Sequence, residues 1–321
     1  MITLSKIAKE AHVSVSTASK AFSGSPEVND QTRQIIFDVA KKYGCFKKFF
    51  NAKYSKYVIA VICPEFSSAH YTRYLAFLRH YLDEENCEIC VAETNFSHQK
   101  ERELLEYYYK HADVDAIIVI GSHNDITAYH EIPVLFLSID TQEFDSPSVI
   151  CNVDTALEEA LDYLIDKGVT DIGFIGERLT IRKRTYFQSL LKKKGLPCNE
   201  SYMGIADERF EVGGYKAMES ILASGSYPRA IYCAYDNMAI GAIRCVIDHG
   251  LRVPEDIAIL GTDDIPSAPY LVPPLASIDS HADQTCLLAT KTIIAMINGK
   301  DIPTRQEIAP VFHLRRSFEI D

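Results

Sequence analysis

Side chains able to do covalent or acid–base chemistry are plentiful in this sequence, yet few stand at the spacings such chemistry uses. Asp263 and Asp264 are adjacent carboxylates, but neighbours at a strand end point apart, a poor arrangement for paired acid–base work. Cys87 and Cys90 form a C-x-x-C inside ENCEICVAE. No second pair completes a tetrahedral zinc set, so a redox or zinc role competes with a plain reading as apolar strand residues. The nine cysteines are otherwise scattered, as reduced, buried thiols would be in a long chain without an export signal. Ten histidines occur without H-E-x-x-H or any other metal-ligand spacing. The patterns G-x-x-x-x-G-K-[ST], G-x-G-x-x-G after the first apolar strand, and G-x-S-x-G are all absent. Neither an enzyme nor a bound metal or cofactor is expected.

What remains is recognition chemistry, and charge divides it. The net charge is −11, which alone argues against nucleic acid. Residues 1–57, however, hold ten Lys/Arg against four Asp/Glu (+6), leaving −17 for the rest. A basic head that meets phosphates and an acidic body that does not would produce this division. At 321 residues, 47% hydrophobic and 24% charged, the chain reads as two or three globular domains. No apolar run reaches the ~18 residues of a membrane-spanning helix. The opening MITLSKIAKEAHV lacks the basic-then-apolar layout of a secretory signal, so a cytoplasmic protein without membrane contact is expected.

The elements of the basic head follow from its periodicity. Thr3 can cap a helix with the apolar stripe Leu4, Ile7, Ala8 and Ala11. After a short turn at His12-Val13, Ser14 caps a second helix burying Val15, Ala18 and Phe22, with Ser16, Thr17 and Lys20 outward. A third helix begins after Asn29, buries Ile35, Ile36, Val39, Ala40 and Tyr43, and stops at Gly44. Two short helices joined by a tight turn suit the DNA major groove, which admits one helix. A plain three-helix bundle would show the same periodicity.

The stretch LSKIAKEAHVSVSTASKAFSGSPEVNDQTRQIIFDVAKKYG resembles the DNA-binding head of the lactose-repressor/galactose-repressor (LacI/GalR) family almost position for position. The resemblance implies that Ser16, Thr17 and Lys20 read bases, with Val15 able to touch a thymine methyl. It makes Ser5, Ser14, Ser19, Asn29 and Thr32 phosphate contacts that fix register. Two positions depart from the family pattern: His12 stands where glycine is usual in the turn, and Lys20 where arginine is commoner. Lysine cannot make arginine's two-pronged contact with guanine. The connector CFKKFFNAKYSKY (residues 45–57) is basic and aromatic, and lacks the leucine that wedges into the minor groove in the family. By the resemblance Lys53 and Tyr54 fall at the DNA-contacting positions of that segment; a flexible tether is the competing reading.

From Tyr57 onward, apolar β-branched runs (YVIAVI, DAIIVI, PVLFLSI, DIGFIG, RAIYCA, DIAILG) alternate with helical stretches such as 98–112, 154–168, 183–195 and 236–249. Such alternation means parallel sheets with helices on both faces, and the units are too many for one sheet. Two lobes with a cleft at the carboxyl ends of their strands is the economical arrangement. The segments ICNVDTALEEALDYLIDKGVTDIGFIG, CAYDNMAIGAIRCVIDHGLRVPEDIAILGTDDI and PPLASIDSH extend the LacI/GalR resemblance over nearly the whole chain, with Leu157 in place of a usual glycine. The fold expected is therefore α/β, an all-α helix-turn-helix head followed by a two-lobed core like that of periplasmic sugar-binding proteins. The expected boundaries are a head at 1–45, a hinge at 46–57 and a core at 58–321. The first lobe would take 58–152 and 282–308, the second 153–281 and the C-terminal strand.

The same resemblance implies a homodimer on double-stranded operator DNA whose affinity is set by a small, sugar-like effector between the lobes. It marks effector contacts at His70 and Tyr71, at Asp140, within Arg182-Lys183-Arg184 (Lys183 nominally in register), at Arg209 and Phe210, at Tyr235 and Asp236, and at Asp263. Each has a plainer alternative, since Asp263 and Asp264 could cap a helix and the basic run could be a solvated helix start. Tyr235 replaces a common asparagine, trading an amide for a ring. The chain ends at HLRRSFEID without a leucine heptad, so a tetramer is not expected.

Overall fold

The computed structural model describes residues 2–50, 56–121, 131–138 and 146–320. It comprises two compact units, Met1–Tyr57 and Val58–Asp321.

The first unit is helical: α1 (Leu4–Glu10), α2 (Val15–Phe22), α3 (Asp30–Lys42) and the single turn α4 (Phe46–Phe49). Thr3, Ser14 and Asn29 cap the first three, each side chain accepting a backbone N–H in the first turn. Ile7, Ala8, Ala11, Ala18, Ala21, Phe22, Val28, Ile36 and Ala40 form the core. Three expected core residues lie outside it, one of them the half-buried Tyr43. Val15, 47% exposed, sits beyond the end of the inward stripe Ala18–Ala21–Phe22. Ile35 is exposed because it lies about 100° round the helix from Ile36, which takes the inward position with Ala40. His12 adopts φ +55°, the left-handed region that makes glycine usual there.

The connector also departs from expectation. Its first residues are not a free hinge: α4 packs on the head, where Phe46 and Phe49 join Phe22 and Phe37. Phe50 adds a stacked contact with Phe46 at 4.9 Å between ring centroids. Aromatic burial of this kind outweighs the preference of a basic segment for solvent. The described head thus continues to Phe50.

Among its described residues the second unit holds two six-stranded sheets. The first contains β1 (Tyr57–Cys63), β2 (Cys87–Glu93), β3 (Ala116–Ile120), β4 (Val134–Ser138), β5 (Ser148–Cys151) and β11 (Arg305–Ile308), in the order β11-β5-β4-β3-β1-β2. The second contains β6 (Ile172–Glu177), β7 (Met203–Ala206), β8 (Ala230–Cys233), β9 (Ala258–Thr262), β10 (Ala276–Asp279) and β12 (Val311–His313), in the order β12-β10-β9-β8-β6-β7. Their central ladders are parallel; β12 runs antiparallel to β10 at one edge, a departure from wholly parallel sheets. Period-two alternation covers both faces. Ile59, Val61 and Cys63 pack toward α5 (Ala69–Glu84) and α11 (Ala282–Ile297), while Ala60 and Ile62 pack toward α6 (His98–Lys110). In the second lobe Phe174 and Tyr232 face α7 (Asp154–Asp166) and α8 (Ile181–Lys193). Ile175, Ile231 and Cys233 face α9 (Phe210–Ala223) and α10 (Asp236–Asp248). The chain passes between the sheets after β5, after β10 and after β11.

Cys87 and Cys90 lie on β2, and three residues along a strand reverses the side-chain direction. Cys87 is buried toward α5, whereas Cys90 packs toward α6, so the two thiols cannot share a metal.

Candidate functional site

The carboxyl ends of the two parallel sheets face each other across a cleft with a cavity of about 130 Å³. A single water needs only ~10–15 Å³ by the same kind of measure, so the cavity is ligand-sized. Six of the segments that follow strands β1, β2, β6, β7, β8 and β9 line it, as the rule for open α/β sheets requires.

A guanidinium joins the lobes. Arg209, just before α9, forks the carboxylate of Glu65, which follows β1: Nη1 donates to Oε2 at 2.6 Å and Nη2 to Oε1 at 2.9 Å. The guanidinium also lies 5.3 Å from the centroid of Phe96 and 4.6 Å from that of Phe210. Burial alone would raise the Glu65 carboxyl; the Arg209 fork and the hydroxyls of Ser67 and Ser68 overcome this and hold it below the usual range. Hydrogen bonding to Glu65 correspondingly raises Arg209. A second clasp pairs His70 Nδ1, on α5, with Asp263 Oδ1 after β9 at 3.0 Å. Arg73, one turn along α5, donates to the backbone carbonyls of Asp263 and Asp264 at 2.7 and 2.9 Å. Asp263 is buried, which would raise it, but His70, Lys183 and Arg73 together hold it low.

Lys183, on α8, points into the cavity and donates to the carbonyl of Ala234 at 2.6 Å. Burial depresses its ammonium, partly offset by Asp263, Asp154 and Asp236. Tyr235 supplies one wall, and its hydroxyl accepts the amide of Phe210 at 3.1 Å, fastening a residue whose φ is +58°. Glu177, closing β6, accepts the Leu179 amide on Oε2 at 2.7 Å. Among the described residues its Oε1 is buried without a hydrogen-bond partner, as is Nε of Arg209, 3.5 Å away.

Of the expected effector contacts, His70, Tyr71, Lys183, Arg209, Phe210, Tyr235 and Asp263 converge on this cavity. Three do not. Arg182 is exposed and outside the lining, and Arg184 turns away to Glu200 at 2.6 Å. Both lie off the inward side of α8 that carries Lys183. Asp236 is fully buried beneath the cavity floor, accepting the Ser277 hydroxyl at 2.6 Å and the Ile265 amide at 2.8 Å. A Cβ on Gly261 would stand 2.0 Å from Asp236 Oδ1, so the glycine lets this carboxylate in. Asp140 lies outside the described residues, as do Lys53 and Tyr54 of the connector. Sequence reasoning passed over Glu65, Ser68, Phe96, Glu177, Leu179, Thr180 and Asn237, all lining residues. The signal for the two glutamates was present: each closely follows the carboxyl end of an apolar strand run.

Near the crossing strands, Asp264, Asp279 and His313 could together reach one cation. Arg315 already lies 2.6 Å from Asp264, and His281 lies 3.1 Å from Asp279, so protein groups occupy both carboxylates.

On the head, α2 displays Val15, Ser16 and Ser19, with Thr17 and Lys20 half-buried. Ser5 is exposed on α1. Ser14 and Asn29 serve as caps, and the Ser14 and Thr17 hydroxyls lie 2.8 Å apart, while Thr32 donates its amide to Asn29 at 2.8 Å. Lys20 pairs with Glu27, so a base contact by Lys20 must displace that carboxylate.

Comparison with known proteins agrees with this architecture. The family "Bacterial regulatory proteins, lacI family" matches residues 3–44, and the "Periplasmic binding protein-like domain" matches residues 161–318. The chain is 26% identical over 315 residues to the "Probable HTH-type transcriptional repressor ExuR" of Bacillus subtilis (strain 168), covering 93% of this chain and 92% of that protein. Among solved structures it resembles the "transcriptional regulator CelR-cellobiose complex" with a TM-score of 0.69 at 21% identity, covering 99% of this chain and 100% of that one. It also resembles the lac repressor dimer bound to operator and the anti-inducer ONPF with a TM-score of 0.72 at 18% identity, covering 99% of each chain. At those identities the two structures establish the fold. With a lacI-type regulatory head followed by a periplasmic-binding-protein-like core, the chain belongs to the LacI/GalR family of transcriptional regulators.

Proposed function

We propose that this regulator represses a carbohydrate-utilisation operon, that a small sugar-like effector enters the cleft between its lobes, and that effector binding sets its affinity for operator DNA. The observation that carries the reading is the cavity itself. It combines aromatic walls (Tyr71, Phe96, Phe210, Tyr235) with carboxylates, a lysine and a guanidinium, which is how a site meets the apolar face and hydroxyl rim of a sugar. Clasps from both lobes cross it, so a ligand there acts on closure.

The regulator acts in the cytoplasm as a homodimer, with two heads on a pseudo-palindromic site about ten base pairs between half-site centres. By default the sugar releases it from DNA. The test is fluorescence anisotropy of the full chain on operator DNA selected from a random pool, with and without sugars. A bound sugar should weaken operator binding roughly 5–150-fold, a coupling of about 1–3 kcal/mol. A sugar that binds the core and leaves DNA affinity unchanged would defeat the proposal, as would the absence of any sequence preference.

A further inference from the structure

The cleft also specifies what kind of sugar it takes, and this inference rests on the sugar-binding reading above. Among the described residues, two buried polar atoms in the lining lack hydrogen-bond partners: the acceptor Oε1 of Glu177 and the donor Nε of Arg209. They lie 3.5 Å apart, an ion-pair contact too long to count as a hydrogen bond. Each is held in place. The other oxygen of Glu177 takes the Leu179 amide, and both terminal nitrogens of Arg209 fork Glu65. Only 3% of the Glu177 side chain is exposed, so leaving its oxygen unpaired carries the full desolvation penalty.

A hydroxyl donates one hydrogen and accepts on its lone pairs, so a single hydroxyl can answer both atoms. A carboxylate or phosphate accepts only; it would answer Arg209 and repel Glu177. An ammonium donates only; it would answer Glu177 and leave Arg209 unpaired. The surrounding charges agree. Glu65, Glu177 and Asp263 line the cavity against Arg209 and Lys183, and Arg209 is already committed to Glu65. The cavity of about 130 Å³ is close to the ~150 Å³ cavity that accepts one benzene ring, which is room for one six-membered ring.

We propose that the effector is a neutral, polyhydroxylated single-ring sugar or cyclitol, one hydroxyl of which bridges Glu177 and Arg209, and that sugar acids, sugar phosphates and disaccharides are rejected.

Isothermal titration of the full chain tests this with charge-matched series on common rings: neutral hexoses, pentoses and inositol, the corresponding uronates, hexosamines and 6-phosphates, and disaccharides. The expected result is a neutral monosaccharide or cyclitol that binds, with its uronate and phosphate weaker by about a hundredfold or more, as like-charge juxtaposition requires. The isosteric Glu177→Gln variant, shown folded by an unchanged thermal transition, should bind the neutral compound at least about tenfold more weakly and narrow the gap to the uronate. A uronate, phosphate or disaccharide that binds as well as any neutral monosaccharide overturns the inference while leaving a sugar in the cleft. Equal affinities in wild type and Glu177→Gln overturn the bridging hydroxyl. Silence from every carbohydrate, with nucleobases in the same titration giving heat, overturns the sugar reading and this inference with it.

Discussion

The clasp between the lobes can be dismantled one charge at a time, and its energetics can be worked out beforehand. Arg209→Met keeps the aliphatic stem and removes the guanidinium. Glu65 and Glu177, with 5% and 3% of their side chains exposed, then lose the cation they share. A buried charge stripped of its partner costs about 3–5 kcal/mol. Two escapes lower that figure: Glu65 can take up a proton, or the lobes can part and admit water. The net loss of core stability at pH 7 is therefore expected at about 1–3 kcal/mol. Adding Glu65→Gln removes one of the two orphaned charges, and exchanging a buried pair for neutral groups is often nearly neutral, so the double variant should recover most of that loss, with Glu177 keeping the remainder. The dependence on pH has a definite sign. Glu65 is held below its ordinary value, so the clasp's contribution is present above the ordinary carboxylate range and disappears as the pH falls through the lowered value. Urea unfolding of the full chain, followed by circular dichroism because the protein has no tryptophan, supplies the four free energies of the cycle. If the double variant loses the sum of the two singles, the side chains are uncoupled and the clasp is not a unit.

Other perturbations probe the remaining parts. Asp154 is raised from 3.8 to about 6, chiefly by burial, so its charged form opposes folding: stability falls as the pH rises from about 4 to about 6 and stays reduced above. Asp154→Asn should therefore stabilise the core by about 1–2 kcal/mol at pH 8 and give no gain at pH 4, which denaturant titration at the two pH values will read. His12 holds φ +55°, so His12→Val should destabilise the head by about 1–2 kcal/mol while His12→Gly is neutral or mildly stabilising, measured by hydrogen exchange in α1 and α2. Lys20→Ala should cost more affinity on operator than on random DNA; equal losses would make Lys20 a phosphate contact only. Asp263→Ala should abolish the sugar response while leaving operator binding intact. Asp236→Ala should cost about 2–4 kcal/mol, because it strands the Ile265 amide and the Ser277 hydroxyl, and a loss below about 1 kcal/mol would refute its place as a buried support.

Much of the fold was legible because its signals are local. The strand runs and the helices at 98–110, 154–166, 181–193 and 236–248 follow from unbroken apolar periodicity, with ends shifted by about two residues. For the connector, composition leaves a DNA-contacting segment and a flexible tether both open, because it says nothing about packing. FKKFF reads as a basic tether, yet its phenylalanines find Phe22 and Phe37 on α2 and α3. In the cleft, His70, Tyr71, Arg209, Phe210, Tyr235 and Asp263 were readable, while Glu65 and Glu177 at the strand ends were passed over. Of Arg182, Lys183 and Arg184, which are alike in charge, the resemblance leaves Lys183 nominally in register, and it is Lys183 that α8 turns into the cavity. Asp236 is the complementary case: an acidic residue at the correct strand end whose side chain turns under the floor, because Gly261 leaves a space there.

That buried carboxylate explains how the cleft holds its most strained segment. Asp263 and Asp264 have φ values of +103° and +45°, conformations that cost of order 1–3 kcal/mol each for residues with a side chain. The second lobe fixes the amide side of this turn by itself: Asp263 N–H donates to the Ile278 carbonyl at 2.9 Å, Asp264 N–H to Ser277 Oγ at 3.0 Å, and Ile265 N–H to Asp236. The first lobe holds the opposite side, through Arg73 on both carbonyls and His70 on the Asp263 carboxylate. Parting the lobes would break the second set together and leave the first intact. The turn would keep its shape, but Asp263 would lose the His70 and Arg73 charges that keep its carboxyl low while buried. A ligand that hydrogen-bonds Asp263 while touching His70 therefore favours the closed arrangement over the open one, and that difference in affinity between two states is what a regulator needs to convert occupancy into a change elsewhere.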